Sequence, residues 1–232
     1  MIQQKSPLIA AAKKAVGLAA AELIEEGMYI GLGTGTTAAY FIEALAERCR
    51  AGLKIYAVAS SHDSQRQAYK AGIPLIDPQT ITQLDITVDG ADEIDPYKNM
   101  IKGKGGALFR EKLLAKSSRE MIVMVDETKL VDQLGECPVP IEISSYIYKT
   151  TLQRLDQQNY QGVLRLNHDH TPYQTEGGNY IFDIQFNHPI TDPQAEDERL
   201  RHITGVLETG IFFQVAGRVI IGYEDGLIKI QA

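Results

Sequence analysis

The sequence predicts an α/β fold, a doubly wound and mostly parallel sheet (Rossmann-like) with an inserted smaller α+β domain of ferredoxin-like order. Three observations predict it. Short apolar runs alternate with helix-period stretches from residue 7 to about residue 125, as buried parallel strands and their crossover helices do. Glycine-rich turns stand where strands hand over to helices. After Asp126 the rhythm becomes βαββαβ, the split unit of ferredoxin-like domains. The division expected is residues 1–131 plus 208–232 for the large domain and 132–207 for the small one.

In chain order, Ser6-Pro7 reads as an N-cap followed by a proline in the first helical turn. Leu8, Ala12, Val16, Ala19, Leu23 and Ile24 recur at helical spacing until Gly27 stops the helix. Met28 to Leu32 is a strand, and Gly33-Thr34-Gly35-Thr36-Thr37 turns into a helix ending near Arg50. Lys54 to Ala59 is a strand, Asp63 to Ala71 a helix, and Ile73 to Ile76 a short strand. Leu84 to Val88, a helix after Gly106, and Met121 to Val125 complete the alternation. In the insertion, Val139 to Ile143, Gly162 to Leu166 and Tyr180 to Phe186 read as strands. Tyr146 to Gln158 and Pro193 to Ile203 read as helices, and Val206 begins a last strand. Ile211 to Phe213 and Val219 to Ile230 look like strands returning to the large domain.

Composition narrows the function. The chain has 232 residues, 44% hydrophobic and 23% charged, with a formal net charge of -7. No basic run is interleaved with aromatics, so nucleic-acid binding is disfavoured. Local lysines can still serve an anionic small molecule. Cys49 and Cys137 have no metal-ligand spacing, and a reducing cytoplasmic location is the simpler reading. Lys13-Lys14 followed by AVGLAAA is too short for a secretory signal and runs into Glu22, Glu25 and Glu26. No run reaches the roughly 20 apolar residues of a spanning helix, so no membrane partner is expected.

The chemistry gathers in LDITVDGADEIDPYKNMIKGKGGALFREK, residues 84–112. Asp89 and Asp92 follow a strand end, where a carboxylate can reach a cleft, although Asp-Gly is also ordinary turn chemistry. Lys102-Gly103-Lys104-Gly105-Gly106 is a glycine-rich turn with two ammonium groups. Glu111, about a turn and a half into the following helix, is the acid best suited to act as a base. Lys102 could stabilise a developing oxyanion. The alternative for each is a plain surface side chain. Upstream, Thr34, Gly35, Thr36 and Thr37 open a helix with free backbone N–H groups and hydroxyls, a loop suited to a lone phosphate. It fails both the dinucleotide fingerprint and the P-loop pattern. Asp89, Asp92, Glu93 and Asp95 fit no calcium loop, and metal binding is not expected. His168-Asp169-His170 reads as a solvated turn.

The combination GLGTGTTAAYFI, VDGADEID and MIKGKGGALFREK resembles ribose-5-phosphate isomerase, type A, over essentially the whole chain. The resemblance implies a cofactor-free aldose–ketose isomerisation between ribose 5-phosphate and ribulose 5-phosphate, in the non-oxidative pentose phosphate pathway. It assigns Glu111 as proton acceptor and places substrate against the loops matching Thr34 to Thr37, Asp89-Gly90-Ala91-Asp92 and Lys102 to Gly105. Lys129 and Lys13 match lysines that bind substrate and lie near its phosphate. Some members have glycine where this chain has Lys104. Homodimers or tetramers are implied as well. Two rivals remain: a CoA transferase with Glu111 as nucleophile, and a non-catalytic sugar-phosphate sensor domain. The sensor should carry a DNA-binding module that this sequence does not offer.

Overall fold

A computed structural model describes residues 7–232; Ser6, read above as a helix cap, lies outside them. The elements run α1 (Pro7–Glu22), β1 (Tyr29–Leu32), α2 (Thr36–Arg50), β2 (Tyr56–Ala59), α3 (His62–Ala71), β3 (Leu84–Gly90), β4 (Glu93–Ile94), β5 (Met100–Ile101), α4 (Leu108–Lys116) and β6 (Ser118–Asp126). There follow β7 (Val139–Ile143), α5 (Tyr148–Gln157), β8 (Gly162–Leu164), β9 (Tyr180–Ile184), α6 (Pro193–Arg201), β10 (Val206–Thr209), β11 (Ile211–Phe212), β12 (Ala216–Gly222) and β13 (Ile228–Gln231). They form two compact units. One holds the chain through Ala91, with Leu113–Leu130 and Val215–Ala232; the other holds Asp92–Lys112 and Val131–Gln214.

The first unit is built on a six-stranded sheet in the order β13-β12-β6-β3-β1-β2. All neighbours are parallel except β13, which pairs antiparallel with β12. Strands covered on both faces must be apolar nearly throughout. Ile30, Leu32, Ile86, Val88, Ile122, Met124 and Ile220 accordingly join Val16 and Ala20 of α1 and Phe41 and Leu45 of α2 in one buried core. Because β1, β3 and β6 are parallel and in register, Leu32 sits beside Val88 and Gly90 beside Met124. Their carboxyl ends therefore share one sheet edge, the edge at which open α/β sheets take ligands.

The second unit carries an antiparallel sheet in the order β10-β7-β9-β8, with α5 and α6 in the connections. Numbered within the insertion this is 4-1-3-2, the ferredoxin-like arrangement expected from the element order. Phe182 and Ile184 are buried with Val139, Ile141, Leu155 and Leu200. They belong to the unit's own core.

Four expectations on element assignment change. Ile73 to Ile76 is no strand but a single parallel bridge between Ala57 and Leu75. Pro74 accepts from the Ala57 N–H but has no N–H to extend a ladder. Residues 89–106, where the sequence suggested no strand, contain β4 and β5, which join β11 in a three-stranded sheet ordered β11-β5-β4. Two-residue strands are too short to show alternation. Ile211-Phe212 thus pairs within the second unit instead of returning to the first. The run 219–230 is two strands, split where Tyr223 N–H bonds Leu227 C=O and Gly226 N–H bonds Tyr223 C=O. No helix among the described residues is long and apolar enough to cross a membrane.

Candidate active site

In the first unit, the chain leaves β1 at Gly33 and enters α2 at Thr36 with Gly35 in the capping position. Gly35 and Thr36 are exposed, and no side chain caps the helix start. Its first N–H groups and its positive dipole end are thereby suited to an anion. Of the two N-terminal lysines, Lys14 is exposed and Lys13 is 5% exposed. The Lys13 ammonium donates to Thr36 Oγ1 at 3.2 Å and lies 3.6 Å from Asp126 Oδ2, at the end of β6. The structure therefore separates two residues that the sequence could not.

Asp89, at the end of β3, is buried. Its Oδ1 accepts from the N–H groups of Thr34 at 3.1 Å and Gly90 at 2.7 Å. Gly33 makes room for it: a Cβ there would fall 2.1 Å from Asp89 Oδ1. The glycine of the threonine loop and the aspartate of the second motif are thus two halves of one contact. Thr34 does not face solvent like Thr36. Its hydroxyl bonds Ser60 Oγ at 2.7 Å and Ser61 Oγ at 2.9 Å, and Ser64 donates to Gly33 C=O at 2.6 Å. This serine cluster braces the loop. Ser60, directly after β2, belongs to none of the sequence motifs, and only the fold brings it to this loop. Lys129 closes a single 3-10 turn, Glu127–Lys129, that Asp126 caps.

In the second unit, Lys102 and Glu111 are each 3% exposed, and the ammonium lies 3.2 Å from Glu111 Oε2. Glu111 stands in the first turn of α4, earlier than the turn and a half expected, because the helix begins at Leu108. The backbone between them is a tight turn. Gly103 has φ 107, and a Cβ there would meet Leu108 Cβ at 2.7 Å and Pro140 Cγ at 2.9 Å. Only glycine fits. Asp92 receives the Lys104 N–H at 3.0 Å, so it anchors the turn, while Lys104 and Gly105 are exposed. Glu93 instead accepts from the N–H groups of Gly135 (2.8 Å) and Cys137, and Asp95 from those of Tyr97 and Asn99. The four acids of the motif have four different neighbourhoods. The described residues hold no group of three or more His, Cys, Asp or Glu able to bind a metal ion.

A second buried cation follows Glu111 directly. The Lys112 ammonium donates to Glu208 at 2.9 Å and Asp197 at 3.3 Å and lies 4.8 Å from the centre of the Phe212 ring. Lys102 lies 5.6 Å from the same ring. Burial holds the Lys112 pKa below the ordinary lysine value, against the opposing pull of Glu208 and Asp197. Nothing in the sequence singled out Lys112, Asp197, Glu208 or Phe212, since the carboxylates are some 85 residues away and more.

Solved proteins share this whole architecture, and they are isomerases. Ribose 5-phosphate isomerase A from Methanocaldococcus jannaschii superimposes with a TM-score of 0.89 at 35% identity, covering 95% of this chain and 97% of that one. A D-ribose-5-phosphate isomerase solved in complex with phospho-erythronic acid gives 0.91 at 39% identity, over 96% and 98%. Ribose-5-phosphate isomerase A of Protochlamydia amoebophila (strain UWE25) is 58% identical over 221 residues, 95% of either chain. The family model for ribose 5-phosphate isomerase A (phosphoriboisomerase A) matches residues 56–226. This chain belongs to the ribose 5-phosphate isomerase A family. Neither rival reading, CoA transferase or sugar-phosphate sensor, finds support among these relatives.

Proposed function

We propose that this chain interconverts D-ribose 5-phosphate and D-ribulose 5-phosphate through an enediolate, with Glu111 moving the proton. The observation that carries the reading is the buried Lys102–Glu111 pair, 3.2 Å apart, formed by two residues of the motif MIKGKGGALFREK. Glu111 takes the C2 proton of the open-chain aldose, and the C2–H electron pair becomes the C1=C2 double bond as the carbonyl oxygen gains negative charge. Returning the proton to C1, and moving the O2 proton to O1, completes the ketose. One carboxylate can serve both carbon steps. The Lys102 ammonium offsets the charge growing on the sugar oxygens, usually the largest single catalytic effect. A metal is not needed in this scheme.

The remaining assignments follow the same motifs. Asp89 handles hydroxyl protons, including those of ring opening. Thr36, Thr37, the start of α2 and Lys13 take the phosphate, with Lys129 also on the substrate. Thr34 and Gly35 shape that loop; Gly90, Ala91, Asp92, Gly103, Lys104 and Gly105 provide the backbone around the sugar. The relative that holds phospho-erythronic acid adds support, since a phosphorylated aldonate has the carboxylate charge of an enediolate at one end and a phosphate at the other. Family resemblance further supports a cytoplasmic homodimer or homotetramer.

The test is proton exchange by NMR with ribose 5-phosphate in D2O after EDTA treatment. Ribulose 5-phosphate carrying deuterium on carbon is the expected product, and folded protein that gives neither conversion nor exchange would end the proposal. Thr36→Val should raise KM several-fold while kcat changes little, because phosphate binding stabilises ground and transition states alike. An unchanged KM would remove Thr36 from the phosphate site.

A further inference from the structure

Arg165 stands just past β8, and its guanidinium is committed on two sides. Nε donates to Asp183 Oδ2 at 2.8 Å and Nη2 to Asp183 Oδ1, a bidentate pair that fixes the plane of the fork. Nη1 then donates at 3.1 Å to the carbonyl oxygen of Gly103 and, also at 3.1 Å, to that of Lys104. The Tyr173 ring centre lies 5.9 Å from Arg165 Cζ. All of these residues belong to the second unit.

The consequence comes from peptide geometry. No cis peptide bond occurs among the described residues, and in a planar trans peptide the C=O and the next N–H point in opposite directions. With the Gly103 oxygen held by Arg165, the Lys104 N–H is turned the other way, onto Asp92 Oδ2 at 3.0 Å. With the Lys104 oxygen held by the same nitrogen, the Gly105 N–H is turned away from Arg165 too, at an exposed residue. Together with the turn's own bond from the Gly106 N–H to the Gly103 oxygen at 3.0 Å, one guanidinium and one carboxylate thus hold two successive peptide planes of the glycine turn.

We infer that Arg165 is a positioning residue for the reaction proposed above, orienting the Gly105 N–H to donate to an oxygen of the sugar phosphate. The inference rests on that proposed function. Arg165 touches the turn and not the reacting carbons, so its effect falls on binding. Lysine cannot replace it, because an ammonium has no planar fork to serve a carboxylate in two bonds and two carbonyls at once.

The experiment compares wild type, Arg165→Lys and Arg165→Ala in steady-state isomerisation of ribose 5-phosphate, with Tm and circular dichroism on each. KM is expected to rise about tenfold in R165K with kcat within about threefold, the split that a loss of uniform binding produces. Millimolar methylguanidinium is expected to bring the KM of R165A back toward wild type without moving its Tm. Wild-type KM in R165K, or a raised KM in R165A that methylguanidinium does not lower, would overturn the inference, leaving Arg165 as a brace for Asp183. An inactive wild type would fail the isomerase reading itself, and is told apart because it precedes any comparison of variants.

Discussion

Glu111→Gln is expected to lower turnover of ribose 5-phosphate at least about a hundredfold, the low end for a lost general base, while substrate still binds. Glutamine keeps the length and shape of the side chain in a position 3% exposed, so the change is chemical and not a cavity. It cannot accept the C2 proton. It also leaves the Lys102 ammonium, now 3.2 Å from a carboxylate, facing a neutral amide. Calorimetry with ribose 5-phosphate and single-turnover kinetics separate the two effects. Lost binding with near-normal residual turnover would take the base role from Glu111. Retained binding together with the loss of deuterium incorporation at carbon would fix the proton transfer on this residue.

Lys112→Met is expected to be the most damaging change to stability, at about 3–5 kcal/mol, the usual cost of removing one partner from a buried ion pair. Methionine fills much the same volume, so the loss is electrostatic. Asp197, 1% exposed at its side chain, and Glu208 then share the half-exposed Arg201, at 3.7 and 3.8 Å, as their nearest cation. Adding Asp197→Asn to Lys112→Met should recover part of the loss, because a neutral amide tolerates burial better than an unpaired carboxylate. Urea unfolding of wild type and both variants checks this. Equal stability of wild type and Lys112→Met would show that burial of the lysine costs as much as its two carboxylates return.

Legibility in the sequence followed the range of the forces. The parallel core was readable because strands such as Met121-Ile122-Val123-Met124-Val125 are apolar over a few adjacent residues, and the ferredoxin-like insertion because its elements come in diagnostic order. Glu111, Lys102 and Asp89 were readable as residue types in a motif, and the structure adds what holds them: Gly33 beside Asp89 and Phe212 beside Lys102. What escaped depends on contacts distant in sequence. Arg165 approaches Gly103 across 62 positions and Lys112 approaches Glu208 across 96, and no local pattern records either. Glu93 was read only as one of four acids in the motif, and its work as a backbone anchor was hidden, since only the fold brings Gly135 and Cys137 to it.

The way the chain is shared between the two units bears on how such a protein can be inherited. It passes from one to the other after Ala91, Lys112, Leu130 and Gln214, so neither unit corresponds to one continuous stretch of gene. Lys102 and Glu111 lie on the short segment between the first two passages, Arg165 on the longer one between the last two. A crossover between diverged relatives anywhere from 112 to 165 would join one parent's glycine turn to the other parent's guanidinium. Keeping the turn's geometry therefore requires residues 92–112 and 131–214 to come from one parent, and chimaeras broken between 112 and 165 should be the ones that lose it first.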